Sequence, residues 1–258
     1  MNVARTPFAF ALALAVGLAV PAAPLRAQNV EGLISAADQL RQRLDAASTA
    51  AAIPRLSNGD GALVRAALDP RAIRAIPADL QVAGRACQAI GQAVSGYVQA
   101  AQRVSARAPN PAAATEARMM ELQDETSRGI AASNLCLQRI FRISAGAVQS
   151  FTTGRRAAAG AVLRQMREGA VLVINGSLSM ATMAGISAAN RAQILSAMVE
   201  DPAAVAAAFP PGEREQLRAR IVEAASGAAR EDRARFDRLA AAFAARQCNE
   251  LCALATAN

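Results

Sequence analysis

Apolar residues recur every three or four positions along much of the chain, and this spacing is the strongest constraint on its fold. The first series comprises Val30, Leu33, Ala37, Leu40, Leu44, Ala47 and Ala51. Residues spaced in this way lie on one face of an α-helix. Comparable series follow over residues 77–106 and 112–151. The β-branched and aromatic residues that favour strands are sparse, with aromatics at 3%. The sequence therefore predicts an all-α fold.

Turn-forming residues divide the chain into helices that are expected to pack as a bundle. Asn-Gly and Asp-Gly pairs within residues 57–61 end the first helix, and the proline-containing residues 108–111 separate the next two. Long helices joined by so short a turn are expected to pack antiparallel. Further helices are predicted from residue 155 onward, over 187–198, from 202 to 209, and over 213–253 with a weak point at Gly227. We expect one helical domain over residues 28–258, which the break at 152–154 could divide into two parts.

The first 27 residues have the three parts of a secretory signal peptide. Arg5 supplies positive charge, residues 8–20 form an uncharged apolar run, and small residues follow two prolines. The run is too short for a comfortable membrane span, so an uncleaved anchor helix is the less favoured interpretation. We expect cleavage between Ala27 and Gln28, and export to the periplasm or to the outside of a bacterial cell.

The charge of the chain suits a protein near an anionic cell envelope, although arginine without lysine is most simply explained by the codon choice of a GC-rich genome. All 28 basic residues are arginines. Removal of residues 1–27 takes away two arginines and no acid, which leaves 26 arginines against 20 acidic residues and a net charge of +6. Such a chain suits an envelope protein or an anionic envelope component as partner. Export and the scarcity of aromatic residues for stacking on bases argue against nucleic acid.

Residues 169–190 are uncharged and are long enough to span a bilayer. Polar residues such as Asn175 and Thr182 make them a poor insertion sequence on hydropathy scales. We therefore expect a buried helix here, with no integral membrane span after signal cleavage, over a membrane-associated segment.

Four cysteines follow the signal peptide, and an even number in an exported protein indicates disulfides. If two helices turn near Asn110, Cys87 lies 23 residues before the turn and Cys136 lies 26 after it. These positions have nearly the same height in an antiparallel pair, so we predict a Cys87–Cys136 bond. Cys248 and Cys252 have i,i+4 spacing. They either bond to each other where the helix ends or reach across to the first two cysteines.

The chain contains no histidine and no lysine. Their absence removes Ser-His and Cys-His nucleophile pairs, histidine-ligated metals, Schiff bases and Walker-type phosphate loops. We therefore assign no catalytic residue, no cofactor and no metal site. The carboxylates on arginine-rich helices are expected to be solvated: Glu121 with Asp124 and Glu125, and Glu231 with Asp232. Met180 and Met183 could bind Cu(I) through their thioethers, but they are expected to fill gaps in the core.

Three functions stay open at this point, because fold class does not determine function. The first is a non-enzymatic helical-bundle protein of the bacterial envelope that binds another macromolecule or an envelope surface. The second is a periplasmic carrier that holds a small apolar or anionic ligand between its helices. The third, ranked last, is an enzyme built from carboxylates and arginines alone.

Overall fold

A computed structural model describes residues 24–245 and 247–256, in which all regular structure is helical and no strand occurs. The predicted all-α, multi-helix fold is confirmed. Of the predicted signal peptide, residues 1–23 lie outside the described residues. In chain order the α-helices are α1 (Pro24–Ala46), α2 (Gly61–Ala67), α3 (Pro70–Arg74), α4 (Leu80–Ser105), α5 (Pro111–Glu121), α6 (Gln123–Gln149), α7 (Thr153–Ala181), α8 (Ala188–Met198), α9 (Pro202–Ala206), α10 (Pro211–Ser226), α11 (Arg233–Ala244) and α12 (Glu250–Thr256).

Side-chain caps determine where several helices begin. The Asp79 carboxylate accepts hydrogen bonds from the backbone N–H of Gln81 at 2.8 Å and of Val82 at 3.0 Å. The free N–H groups of a first helical turn need such acceptors. The second long helix therefore starts at Leu80 and not at Pro77, where the sequence placed it. Asn110 begins α5 in the same way, accepting from the N–H of Ala113 at 3.2 Å.

Helix α6 lies at the centre of the fold and packs against α3, α4, α5, α7, α8, α9 and α12. Helix α1 packs along α4 in a parallel direction, because Arg85 of α4 pairs with Glu31 of α1 and Gly96 of α4 lies beside Leu44 near the end of α1. Residues 47–79, with α2 and α3, connect the two helices. One contiguous hydrophobic core contains residues from before and after the 152–154 break. Its largest fully buried side chains include Tyr97, Phe141, Phe209 and Phe236. The core therefore buries several of the few aromatic residues among many alanine and aliphatic side chains.

The predicted continuous helix over residues 112–151 is wrong, because the chain is divided at Leu122 into α5 and α6. Leu122 is fully buried and has non-helical φ and ψ of −97° and 16°. The loop after α1 contacts both sides of this break. Arg55 pairs with Glu121 at 3.3 Å, and the N–H of Leu56 donates to the buried Glu125 carboxylate at 2.7 Å. Contacts with a distant loop thus accompany a break that no proline or glycine marks.

Two other predicted helices are also shorter than expected. The first ends at Ala46, where Arg103 donates to the carbonyl of Leu44 near the helix end. The single helix predicted over residues 213–253 is α10, α11 and α12, separated after Ser226 and again after Ala244. The first of these separations occurs at the predicted weak point, Gly227.

The helix predicted over residues 169–190 does not continue to the end of this uncharged segment. Helix α7 ends at Ala181, and the connection to α8 contains Gly185 with φ of +88°, a left-handed conformation that favours glycine. Within α7, residues such as Val173, Ile174 and Leu178 are buried. Among the described helices, none combines the length and apolar character needed to cross a membrane.

Candidate functional site

A groove runs between α4 and α7, with α6 as its floor. Helices α4 and α7 both pack on α6 but scarcely contact each other, which leaves a space between them. Two adjoining cavities, of about 190 Å³ and about 40 Å³, share Gly91, Ser133 and Val173 and so form one continuous feature. Along α7 the groove extends from Met166 to Met180, about 21 Å at the rise of an α-helix.

The groove has contributions from four helices. Helix α4 supplies Cys87, Gln88, Gly91, Val94, Ser95 and Val98; α5 supplies Met119; α6 supplies Thr126, Ile130, Ser133, Cys136, Leu137, Ile140 and Phe141; and α7 supplies Met166, Val173, Gly176, Ser177 and Met180. Aliphatic side chains, methionines and small residues dominate this set. Methionine side chains are flexible and polarizable, so a surface rich in them can adapt to apolar ligands of different shape.

Three hydroxyl groups in the groove use their hydrogen bonds within their own helices. Thr126 donates to the carbonyl of Leu122 at 2.9 Å, Ser133 to Gly129 at 3.0 Å, and Ser177 to Val173 at 2.7 Å. A hydroxyl that has a backbone acceptor does not need one from a ligand. The groove therefore offers mainly methyl, methylene and thioether groups, in keeping with its apolar composition.

A buried amide joins α6 to α7 beside the groove. The Nδ2 of Asn134 donates to Ser177 Oγ at 2.7 Å and to the carbonyl of Ile130 at 2.9 Å. Asn134 is 3% exposed and Ser177 is fully buried. Since an unsatisfied buried amide is costly, this pair specifies how α7 sits on α6.

The Cys87–Cys136 disulfide joins α4 to α6 at one end of the groove, and both cysteines line it. Their Cα atoms are 5.5 Å apart, and the pairing is the one that the helix heights predict. Further along, α4 and α6 approach closely at Gly129, where an added Cβ would lie 2.8 Å from Cγ2 of Val94. One wall and the floor of the groove are thus fixed to each other both covalently and by close packing.

The second disulfide is the local one, Cys248–Cys252, with Cα atoms 5.4 Å apart. Cys248 precedes α12, which begins at Glu250, so the bond spans a helix start and not a regular helical turn. The structure contains this bond and not the cross-link to the first pair of cysteines.

The acidic residues singled out in the sequence do not converge on one site. Glu121 pairs with Arg55 and Arg118, and Asp124 accepts from Asn190 Nδ2 at 2.8 Å. At the other cluster, the buried Asp232 pairs with Arg191 at 3.1 Å and Arg235 at 3.0 Å, and Glu231 also pairs with Arg191. Each carboxylate therefore takes part in ion pairs or hydrogen bonds within the fold, and the expectation that these carboxylates are solvated is wrong for the buried Glu125 and Asp232.

The two methionines singled out in the sequence have different positions. Met180 lines the groove with Met119 and Met166, whereas Met183 lies after the end of α7 and is 39% exposed. In the part of the chain that the structure describes, no group of three or more cysteine, aspartate or glutamate residues could hold a metal ion.

The position of the groove was not predicted from the sequence, although small residues on the helices that line it are a possible signal. Small residues occur on three of its four helices, α4, α6 and α7: Gly91 and Ser95, Ser133, and Gly176 and Ser177. Small side chains on facing helices produce either close packing or a space, and only the three-dimensional arrangement distinguishes the two.

Compared with models of protein families, with curated proteins and with solved structures, the chain matches none of them.

Proposed function

We propose that the protein is a non-enzymatic binding protein, exported to the bacterial cell envelope, that holds a small apolar ligand in the groove between α4, α6 and α7. The observation that carries this proposal is the continuous apolar groove, in which the hydroxyls of Thr126, Ser133 and Ser177 already donate to backbone carbonyls. It corresponds to the second of the three functions that the sequence left open. The ligand class that fits best is an unbranched acyl chain.

The size of the groove favours a slim ligand. Its larger part has a volume of about 190 Å³. A dry cavity of about 150 Å³ is sufficient to bind benzene, so the groove has room for an apolar group of small cross-section. An α-helix with its side chains is roughly 10 Å in diameter and would not enter. A narrow groove of about 21 Å therefore suits an extended hydrocarbon chain better than a segment of another protein.

Binding of a macromolecule, the function ranked first from the sequence, has less support. Among the described residues, the exposed large apolar side chains are Leu172, Met183 and Val222. Three such residues are fewer than an extended apolar docking face requires. An envelope protein or an anionic envelope component as partner of the arginine-rich surface stays a second proposal.

The groove proposal predicts that a neutral apolar probe, dodecanol, binds the purified protein saturably and that Ser133→Phe weakens this binding at least about tenfold. The new ring would occupy the floor of the groove. Each methylene kept out of an apolar site costs about 0.8 kcal/mol, so exclusion of two methylenes accounts for about tenfold. Calorimetric titration measures the affinity.

Ser179→Phe is the matched control, because Ser179 is an exposed residue of the same α7 that bounds the groove. It should bind dodecanol as the unmodified protein does, and circular dichroism should show the same helix content in both variants. Absence of saturable binding by the unmodified protein, or full binding by the Ser133 variant, would overturn the proposal.

Export has its own test. Protein isolated from the envelope fraction of its bacterial host is expected to begin at Gln28, and intact-mass analysis under native conditions would report this start. The same spectrum would reveal a retained apolar ligand as added mass. A chain that still carries residues 1–27 and fractionates with the cytoplasm would contradict export.

A further inference from the structure

A second cleft lies between the start of α4 and the C-terminal half of α6. It shares no lining residue with the groove. Its volume is about 460 Å³, within the roughly 300–1,000 Å³ range of sites for small molecules. Leu80, Ile143 and Phe151 contribute apolar surface, and Arg139 contributes a guanidinium. The cleft therefore combines an apolar wall with a cation.

Arg139 is the cation in this cleft that lacks a carboxylate partner within the described residues. Its Nε donates to the carbonyl of Ile76 at 2.9 Å, and its Nη2 donates to the same oxygen. The carbonyl of Ile76 thus accepts both hydrogen bonds of the guanidinium, and Nη1 forms none with the residues that the structure describes. A guanidinium has five N–H donors and prefers to place two of them on one carboxylate.

The other charged groups at the cleft already have partners. Arg142 pairs with Asp201. The Asp79 carboxylate caps α4 through the N–H groups of Gln81 and Val82. Burial, and secondly the positive charge of Arg142, lower the pKa of Arg139 below its usual range. An anion bound beside Arg139 would offset both effects.

We propose that this cleft binds an amphiphilic anion, with one carboxylate on the Arg139 guanidinium and an apolar body against Leu80, Ile143 and Phe151. The site is separate from the groove between α4, α6 and α7 and does not depend on the function proposed for it.

Naphthoate and its neutral counterpart naphthamide are suitable probes, because they differ in charge and hardly in shape. Calorimetric titration should show that naphthoate binds at least about tenfold more tightly, since hydrogen bonds to charged groups are roughly twice as strong as neutral ones. In Arg139→Gln this preference should disappear. Equal affinity of the two probes for the unmodified protein would overturn the proposal.

Gly146→Leu tests whether naphthoate binds in this cleft, and it should not destabilise the folded protein. Gly146 lies on α6 at the edge of the cleft, and a Cβ there would have no heavy atom within 4 Å. The leucine would project into open space, and in a helix it is more favourable than glycine by about 1 kcal/mol. This variant should keep or raise the melting temperature and lose naphthoate binding by at least about tenfold.

Gly32→Leu is the matched control, because Gly32 lies in α1 and likewise has no heavy atom within 4 Å of an added Cβ. It should bind naphthoate as the unmodified protein does. Full naphthoate binding by the Gly146 variant would overturn the proposal. Loss of naphthoate binding in the groove variant Ser133→Phe would place the probe in the groove and also overturn it. The dodecanol titration is decided by Ser133→Phe and the naphthoate titration by Arg139→Gln and Gly146→Leu, so each proposal can fail without the other.

Discussion

Replacement of Cys87 and Cys136 together by alanine should lower the free energy of unfolding by about 4 kcal/mol. The bond closes a loop with a sequence separation of 49 residues, and a cross-link over so long a loop removes much of the conformational entropy of the unfolded chain. It also joins α4 to α6, the two helices at the centre of the fold. Urea unfolding followed by circular dichroism measures the loss.

The Cys248–Cys252 bond provides the comparison within the same chain. Its sequence separation is only 4, for which the same entropic argument predicts about 2 kcal/mol. Equal losses for the two double-alanine variants would show that loop closure does not determine how these disulfides stabilise the protein.

The free energy of unfolding should fall steeply in alkaline solution because of one residue, Tyr97. Its ring is fully buried and its hydroxyl donates to the carbonyl of Pro54 at 3.1 Å. Burial, with further contributions from the charges of Glu125 and Asp60, raises the pKa of Tyr97 well above its usual value of 10.0. The folded protein thus keeps a proton that the unfolded chain loses. This contribution is complete below pH 10 and declines above it by about 1.4 kcal/mol per pH unit, or about 3 kcal/mol by pH 12.

Because of the composition of the chain, few groups other than Tyr97 can titrate when the free energy of unfolding is measured between pH 9 and pH 12. Tyr97 is the only tyrosine, there is no lysine, and all four cysteines are in disulfides. Tyr97→Phe is the control: it should lose about 1 kcal/mol at neutral pH with the hydrogen bond, and lack the alkaline decline. Any change in arginine ionisation is common to both proteins and cancels in their difference. Tyrosinate absorbance that develops near pH 10 while the protein is still folded would contradict the prediction.

Local sequence signals predicted the helical class and several of the breaks. Helical spacing of apolar residues depends only on near neighbours, so the long helices could be recognised from it. The Cys87–Cys136 pairing also followed from local information, because helical rise and a short turn place both residues at the same height. The same reasoning missed the division at Leu122, which is associated with contacts to the loop after α1.

The groove and the Arg139 cleft could not be predicted for a related reason. Each cavity is lined by residues from helices that are distant in sequence. Each exists because neighbouring helices leave a space between them. The sequence shows that Ser133 and Val173 are on helices, but not that α4 and α7 both pack on α6 while leaving a space between them. Likewise, Arg139 forms no ion pair among the described residues because Arg142 pairs with Asp201 and the Asp79 carboxylate caps α4, and neither arrangement can be read from the sequence.

The Cys87–Cys136 bond makes the two sides of the groove unequal. Helix α4 is attached covalently to the floor, whereas α7 is held there by packing and by the bond from Asn134 to Ser177. Displacement of α7 should therefore change the width of the groove more readily than displacement of α4, and residues of α6 form its floor. If the groove holds a ligand as proposed, substitutions along α7 should alter the thickness of the ligand that it accepts, while α4 and α6 keep their structure.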